Sequence, residues 1–481
     1  SLGVPGSTKI RVAPRAYYGL GRVRQEFGAL GSTVGFLVNA MHRDLTDGEP
    51  LANLLTTNAL AGAGDTLLRF KGGEYEFRAV VGGSLVTGTD EAITRVQRTS
   101  SHYAQRPDRT YSPLDTTLTS LGGWSLQSNF ERTSGRHWLW GVNTKVDSEN
   151  FETNDVANLN GADGVIIGSN LRYRETRPGR IFRAYTIGIN QSNDSTLRFL
   201  RQAGSLRPSV NVTWANFWTS SWSVTRNLPT QSVSLTRGGP LMAGPTNWST
   251  SFSVANRSTS QTRWSGSATL MEDEEGGSIK RASGSFSFRP GPRWQLSANP
   301  SYERLTDTQQ YVTTLPGDRP EVYNTRYIFG FIDRSTVATE FRMSLTLKPD
   351  VNLDVYAEPF AASGHYDDYG ELLRPGGIDR LKYGTLGTTV VTNPDGSQTV
   401  TDGSSTFTLR NRDFNTLSFR SNVVLRWEWR PGSTLYLVWQ ADRTDTEVLG
   451  TYVNVGDMFR SVTSPGRNAF VIKTSFWIPV K

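Results

Sequence analysis

The sequence predicts an all-β chain that forms a transmembrane, antiparallel, up-and-down β-barrel of about 20 strands, with a range of roughly 16–24. Three observations predict it. Long segments alternate apolar and polar residues, short connections alternate with long ones, and tryptophans lie beside the short connections. Barrels of this kind combine apolar outward residues, polar inward residues, short turns at one end and long loops at the other.

The clearest strand runs from Phe414 to Arg430. Apolar residues such as Leu417 and Leu425 share one parity, and polar residues such as Asn422 share the other. Side chains alternate across a strand, so the segment has one apolar and one polar face. The turn signal Arg430-Pro-Gly-Ser433 follows it, and a second alternating segment then completes a predicted hairpin.

The connections differ in length in a regular way. Tight turns are predicted at 71–73, 134–136, 177–179, 258–261, 289–293, 348–350 and 430–433. Longer polar segments lie at 87–116, 149–163, 228–247, 365–413 and 446–467. A β-sandwich would not separate short and long connections in this way, whereas periplasmic turns and extracellular loops do.

Seven tryptophans lie close to tight turns or to the C-terminus. They are Trp138, Trp140, Trp264, Trp294, Trp427, Trp429 and Trp477. If these turns lie on one side, the rings form an aromatic girdle at a membrane interface. The alternative is a set of core tryptophans in a soluble all-β protein.

Composition excludes several classes of protein. The most apolar run, Gly31 to Met41, already contains polar residues and is too short for a membrane helix of about 20 residues. Cysteine is absent, which excludes disulfides and cysteine nucleophiles. The net charge of +7 is spread along the chain, so we expect no nucleic-acid partner.

Residues 1–481 are expected to form one barrel domain. A spanning sheet must close, so strand 1, near Lys9 to Gln25, is expected to pair with the last strand, Asn468 to Val480. An aromatic-rich last strand is typical of proteins handed to the outer-membrane assembly machinery. Gln310 to Leu315 is either a separate short strand or an extension of the strand before it.

Charged residues on the polar parity are the candidate lumen-facing groups. They are Arg342, Asp354, Glu358, Arg420, Arg426 and Glu428. A lipid-facing arginine at the bilayer midplane costs roughly 2–4 kcal/mol, so these charges must point into the barrel. They either form a charge-selective path or pair with one another in a solvated interior.

No group of residues indicates catalysis, a metal or a cofactor. The four histidines, at 42, 102, 137 and 365, have no metal-ligand spacing. His365 precedes Asp367, Asp368 and Glu371, which could hold a hard cation or form a solvated acidic loop. The acidic run 272–275 is read as a solvated loop tip, so we predict that the chain is not an enzyme.

Several stretches resemble the outer-membrane proteins grouped as domain of unknown function 5916. The matching stretches are STVGF at 32–36, NAMHRDL at 39–45, RGGP at 237–240, 327–347, LDVYAEPFAASG at 353–364, RPGSTLYLVWQ at 430–440, and 468–480. The resemblance implies a bacterial outer-membrane barrel in lipid. Longer members carry a family-9 carbohydrate-binding-like module, which suggests polysaccharide handling, and the family offers no catalytic residues to transfer.

The leading functional expectation is a porin-like pore or uptake component for polar solutes such as oligosaccharides. The alternative is a membrane anchor or scaffold for an N-terminal carbohydrate-binding-like module or for envelope partner proteins.

Overall fold

The computed structural model describes residues 11–46 and 48–478, which form mainly antiparallel sheet. The first ten strands are β1 (Ala16–Phe27), β2 (Ser32–Arg43), β3 (Asn58–Phe70), β4 (Tyr75–Thr87), β5 (Ser120–Arg132), β6 (Trp138–Asp147), β7 (Gly164–Glu175), β8 (Phe182–Ser195), β9 (Arg201–Trp214) and β10 (Thr219–Asn227). The next eight are β11 (Thr230–Ser232), β12 (Met242–Gly244), β13 (Asn247–Ala255), β14 (Thr262–Asp273), β15 (Ser278–Gly291), β16 (Trp294–Pro316), β17 (Thr325–Lys348) and β18 (Val351–Leu372). The last seven are β19 (Arg380–Lys382), β20 (Thr388–Thr392), β21 (Gln398–Asp402), β22 (Ser405–Leu409), β23 (Phe414–Arg430), β24 (Ser433–Glu447) and β25 (Gly466–Ser475).

Helices are few and lie between strands. They are α1 (Asp90–Gln97), α2 (Val455–Arg460) and 3-10 turns at Lys71–Gly73, Pro320–Val322 and Ser461–Thr463. Within the described part of the chain, no helix combines the length and the apolar character needed to cross a membrane.

One sheet of 20 strands dominates the fold. Nineteen of its strands follow one another up and down, and the twentieth, β19, is a three-residue strand beside β18. β11 and β12 form a small second sheet, and β20 to β22 form a third. The fold class is therefore the predicted all-β, antiparallel, up-and-down one, with the predicted number of strands.

The connections divide between the two ends of the sheet. All the predicted tight turns join strands at one end, here called the turn end. The long connections, at 88–119, 148–163, 228–246, 373–413 and 448–465, all lie at the opposite end, here called the loop end. This separation confirms the predicted asymmetry, and some short connections, such as 274–277, also lie at the loop end.

Register divides the sheet into two faces, because residues directly opposite on paired strands point the same way. On β16, Trp294, Leu296, Ala298, Pro300 and Tyr302 share one face, here called the apolar face. The residues of opposite parity form the polar face. The same division continues through β17, β18 and β23, where Leu345, Leu353 and Leu425 are mutual partners on the apolar face.

Two details of the sequence prediction are settled by the pairing. Gln310 to Leu315 belongs to β16, which runs unbroken to Pro316 with register shifts near Asp307 and Tyr311. The first strand begins at Ala16, and Lys9 lies outside the described residues.

The predicted pairing of the first and last strands is wrong for the described residues, because β1 pairs only with β2 and β25 only with β24. After an odd number of strands in alternating directions, the two edge strands run the same way, so an antiparallel pair between them is not available. Val480, the predicted end of the closing strand, lies outside the described residues.

Candidate functional site

The six candidate lumen residues lie on β17, β18 and β23 and share the polar face. Glu358 is directly opposite Arg420, and Asp354 is opposite Ser344. Arg426 is opposite Asn352, which shares the parity of Asp354. The register therefore brings the whole set onto one surface.

Most of these charges have a close partner on their own or the next strand. The Arg342 Nε donates to Glu340 Oε1 at 2.6 Å, and the Arg426 Nη2 donates to Glu428 Oε2 at 3.2 Å. Asp354 accepts from the Ser344 hydroxyl at 2.7 Å. In the described part of the chain, no carboxylate lies within 4 Å of the Arg420 guanidinium, although Glu358 and Asp442 are its cross-strand partners.

A band of five serines crosses the polar face from β10 to β16. Its members, each directly opposite the next, are Ser221, Ser253, Ser267, Ser283 and Ser301. Hydroxyls bond across the strands, at 2.6 Å between Ser221 and Ser253 and at 2.7 Å between Ser267 and Ser283. The sequence analysis missed this band, whose signal is serine at alternate positions of consecutive strands.

Charged pairs flank the serine band. Glu303 accepts from the Arg281 Nε at 2.8 Å and from the Arg334 Nη2 at 2.8 Å. Also on the polar face, but on the first strands, β1 and β3, the Arg22 Nη2 lies 2.8 Å from Asp65 Oδ1. The polar face thus offers both hydroxyls and ion pairs to solvent.

Helix α1 packs against the loop-end edge of the polar face. Met41, Ala59, Val86 and Leu121 form a row of direct partners across β2 to β5. The fully buried Ile93 of α1 packs on this apolar row. Thr89 starts the helix by accepting from the Ala92 amide at 3.2 Å, and Asp90 and Glu91 complement the helix dipole.

The connection 148–163 also folds back onto the polar face. The Arg43 Nη2 lies 2.6 Å from Asp155 Oδ1, and the Asn39 amide donates to the Val156 carbonyl at 3.4 Å. His102, from the connection that holds α1, contacts Glu152 Oε2 at 2.8 Å through Nε2. Because both side chains are almost fully buried, this pair joins the two connections.

Connections from distant strands meet at the loop end. The Leu241 amide donates to Asp108 at 2.7 Å, which joins the connection after β4 to the one after β10. Gln231 donates to the Gly376 carbonyl at 3.0 Å, which joins the latter to the connection after β18. These contacts join connections that leave the sheet several strands apart, and together the connections form a cap at the loop end.

A buried charge cluster stabilises the cap. The Arg326 Nη1 donates to Glu371 at 3.0 Å and to Asp402 at 2.7 Å, and the Tyr383 hydroxyl donates to Glu371 at 2.9 Å. The hydrogen bond from Arg326, aided by Arg319, holds the pKa of Asp402 below its ordinary value. Burial first, and then the charge of Glu371, raise the pKa of Tyr383.

The structure does not bring His365 and Glu371, two residues of the candidate cation loop, together. Glu371 is 1% exposed and bound by arginine, whereas the His365 Nδ1 lies 2.9 Å from Asp413. Among the described residues, no three histidine, aspartate or glutamate side chains converge as metal ligands do. The acidic run 272–275 covers the last two residues of β14 and the first two of the turn 274–277 that leads to β15.

Six of the seven candidate girdle tryptophans lie within strands near the turn end and belong to the apolar face. Trp264 stacks edge-on with Trp218 at 5.0 Å, and Trp427 with Trp429 at 6.3 Å. Trp477 follows β25, and its amide donates to the Ser433 hydroxyl at 3.1 Å. The rings therefore gather at one level, and their role as a membrane girdle stays a prediction.

Comparison with known families gives a match over most of the chain. The family described as Domain of unknown function (DUF5916) matches residues 84–481. The chain belongs to this family. The match of this DUF5916 member begins within β4 and includes the serine band and the strands that carry the candidate lumen residues.

Solved structures with overall similarity are more distant. The FrpB iron transporter from Neisseria meningitidis (F3-3 variant) is 8% identical, over 96% of this chain and 79% of that one, with a TM-score of 0.38. The siderophore receptor PirA from Acinetobacter baumannii is 10% identical, over 97% and 74%, with a TM-score of 0.33. The anion-selective porin from Comamonas acidovorans is 10% identical, over 63% and 91%, with a TM-score of 0.27. None of the curated proteins compared with the DUF5916 chain matches it.

Proposed function

We propose that this DUF5916 protein is a single-domain bacterial outer-membrane barrel that lets polar solutes, such as oligosaccharides, pass along its polar face. The observation that carries the proposal is the contrast between the two faces. One carries the serine band and charged pairs, and the other carries exposed aromatic and aliphatic side chains.

The chemistry of the polar face suits hydroxylated solutes. Serine hydroxyls both donate and accept hydrogen bonds, so a band of them can exchange partners with sugar hydroxyls. Most flanking charges are already paired, which lowers the cost of displacing water from them. Arg420, with no close carboxylate in the described chain, is the residue we propose as the main contributor to charge selectivity.

The interlocked loop-end connections give the path a cap. Contacts such as Asp108 to Leu241 hold connections from separate parts of the sheet together at the loop end. We therefore expect low conductance in the wild-type protein and higher conductance when the cap is loosened. Lipid and the outer-membrane assembly machinery are the expected partners of the barrel.

Reversal potentials of single channels in planar bilayers, measured under a salt gradient, test the proposal. Arg420→Gln is expected to shift the reversal potential toward cation preference, because it removes one positive charge from the path. Lys280→Gln removes an equal charge from the apolar face, opposite Leu270, and is the matched control that should leave the potential unchanged. Equal shifts in both variants would contradict the assignment of the polar face as the path.

The cap also favours a second candidate function. If its contacts never open, the barrel is an anchor or scaffold for a carbohydrate-binding-like module or for envelope proteins. A protein that stays silent in bilayers and gives no swelling of liposomes in oligosaccharide solution, even with a loosened cap, would favour this second role.

A further inference from the structure

The segment 448–465, here called the strap, folds onto the apolar face, unlike helix α1 and the connection 148–163, which lie on the polar face. The Val453 amide donates to the Ser335 hydroxyl at 3.0 Å, and the Thr339 hydroxyl lies 3.4 Å from the sulfur of Met458 in α2. Ser335 and Thr339 share the parity of Phe341 on the apolar face of β17. The strap therefore forms a ridge on the outer wall.

A groove of about 540 Å³ runs beside this ridge over β15, β16 and β17. Small residues, Ala282, Gly284 and Ala298, form its floor. Aromatic side chains, including Phe341 and Phe459, form its walls. Phe459 is 51% exposed despite its size, so the groove is open and apolar.

Two cations lie at the loop-end mouth of the groove. Lys280 and Arg304 are direct cross-strand partners, one step above the pair Ala282 and Tyr302. Arg304 binds Asp333 at 2.8 Å, whereas no carboxylate in the described chain lies within 4 Å of the Lys280 ammonium. Because the charge of Arg304 is already balanced by Asp333, the Lys280 ammonium is the group at this mouth that an added anion would stabilise.

The dimensions match one leaflet of a membrane. From Trp294 to Arg304, β16 rises about 33 Å, which a tilt of roughly 40° reduces to about 25 Å, the height of the apolar band of such barrels. The two cations thus lie at headgroup level. From Arg304 at its mouth to Ala298 on its floor, the groove extends about 20 Å along β16, or about 15 Å along the membrane normal, half of the hydrocarbon core.

We propose that this groove binds one anionic membrane lipid, with its phosphate between Lys280 and Arg304 and an acyl chain along Ala282, Gly284 and Ala298. The inference rests on the proposed membrane location, and it does not need the barrel to conduct. Arg304 is already neutralised by Asp333, so Lys280 supplies most of the preference for an anion.

Native mass spectrometry of the detergent-purified chain tests the proposal with phosphatidylglycerol and phosphatidylcholine of identical acyl chains. We expect one phosphatidylglycerol to bind about tenfold more tightly than phosphatidylcholine, as one charge-assisted contact predicts. Lys280→Gln should remove this preference. The control Arg226→Gln, which alters an apolar-face cation on β10 next to Trp248, should keep it.

A larger side chain in the groove distinguishes binding of a lipid from binding of free phosphate. Ala298→Trp should weaken phosphatidylglycerol binding while both cations remain, and soluble glycerol phosphate should not compete. Equal binding of both lipids, an unchanged preference in Lys280→Gln, or competition by glycerol phosphate would each overturn the lipid site. Channel measurements test transport separately from lipid binding. A protein that does not conduct but still prefers phosphatidylglycerol would contradict the proposed function and leave the lipid site intact.

Discussion

Single side chains in the cap connect its stability to pH. Asp402 accepts from Arg326 at 2.7 Å and from Arg319 at 3.0 Å, so the folded protein favours its carboxylate form and lowers its pKa. The stability that a lowered carboxyl pKa contributes is fully present at pH values above the pKa in the unfolded state, about 3.9. It is lost as the pH falls through the pKa in the folded state. Protonation of Asp402 therefore removes stability from the cap only in acid.

We expect Asp402→Asn to reduce hydrogen-exchange protection of β20 to β22 at neutral pH, because it removes the charge that Arg326 and Arg319 share. The wild type should lose the same protection as the pH falls below the unfolded pKa of about 3.9, whereas the variant should change less. Asp379→Asn, at an exposed ion pair with Arg374, is the control. Protection equal to that of the wild type at every pH would refute the role given to Asp402.

At the scale of elements, connections dock on the sheet where strand residues are small. Gly123 of β5 lies on the polar face, opposite Ser84, and a Cβ built there would lie 2.3 Å from the Phe151 backbone nitrogen. Its neighbour Gly122 points to the other face, where a Cβ would meet only ordinary contacts at 3.5 Å. The absence of a Cβ at Gly123 therefore lets the connection 148–163 lie against β5.

Gly123→Ala should displace the connection 148–163, because backbone atoms cannot move aside as a flexible side chain can. We expect faster proteolytic cleavage within 148–163 and, if the barrel conducts, larger single-channel conductance. Gly122→Ala is a matched control one residue away and should behave as the wild type. If both variants gave the same cleavage rate, the close approach at Gly123 would not hold the connection.

At the scale of the whole molecule, β1 and β25 form the two edges of the large sheet in the described part of the chain. β1 and β25 run in the same direction, and each pairs on one side within the described residues. Because the chain contains no cysteine, disulfides introduced in pairs can report directly on which strands are neighbours.

Val23→Cys with Phe36→Cys, direct partners on β1 and β2, should form a disulfide under oxidation. Val23→Cys with Ile472→Cys, on the two edge strands, should not form one, because the described parts of these strands do not pair with each other. The measurement is the gel shift of the oxidised protein in detergent. A disulfide in the second pair, at a yield like that of the first, would show that the sheet closes directly.

Sequence alone determined the strands, the division into two faces and the separation of short turns from long connections. These features follow from local geometry, because the pleat of a strand fixes which side chains share a face. The placement of Arg420 and Glu358 on one face therefore needed no tertiary information.

Only the tertiary structure decided where the connections fold, because their positions depend on contacts between residues far apart in the chain. Ile93 packs on the polar face through Met41 and Val86, whereas the strap lies on the apolar face through Ser335. The number of strands likewise depends on pairing. Pairing places Gln310 to Leu315 within β16 and, among the residues that the structure describes, leaves the first and last strands unpaired with each other. Alternation of apolar and polar residues predicts a strand and its two faces. The neighbours of that strand depend on contacts between residues that are distant in the sequence.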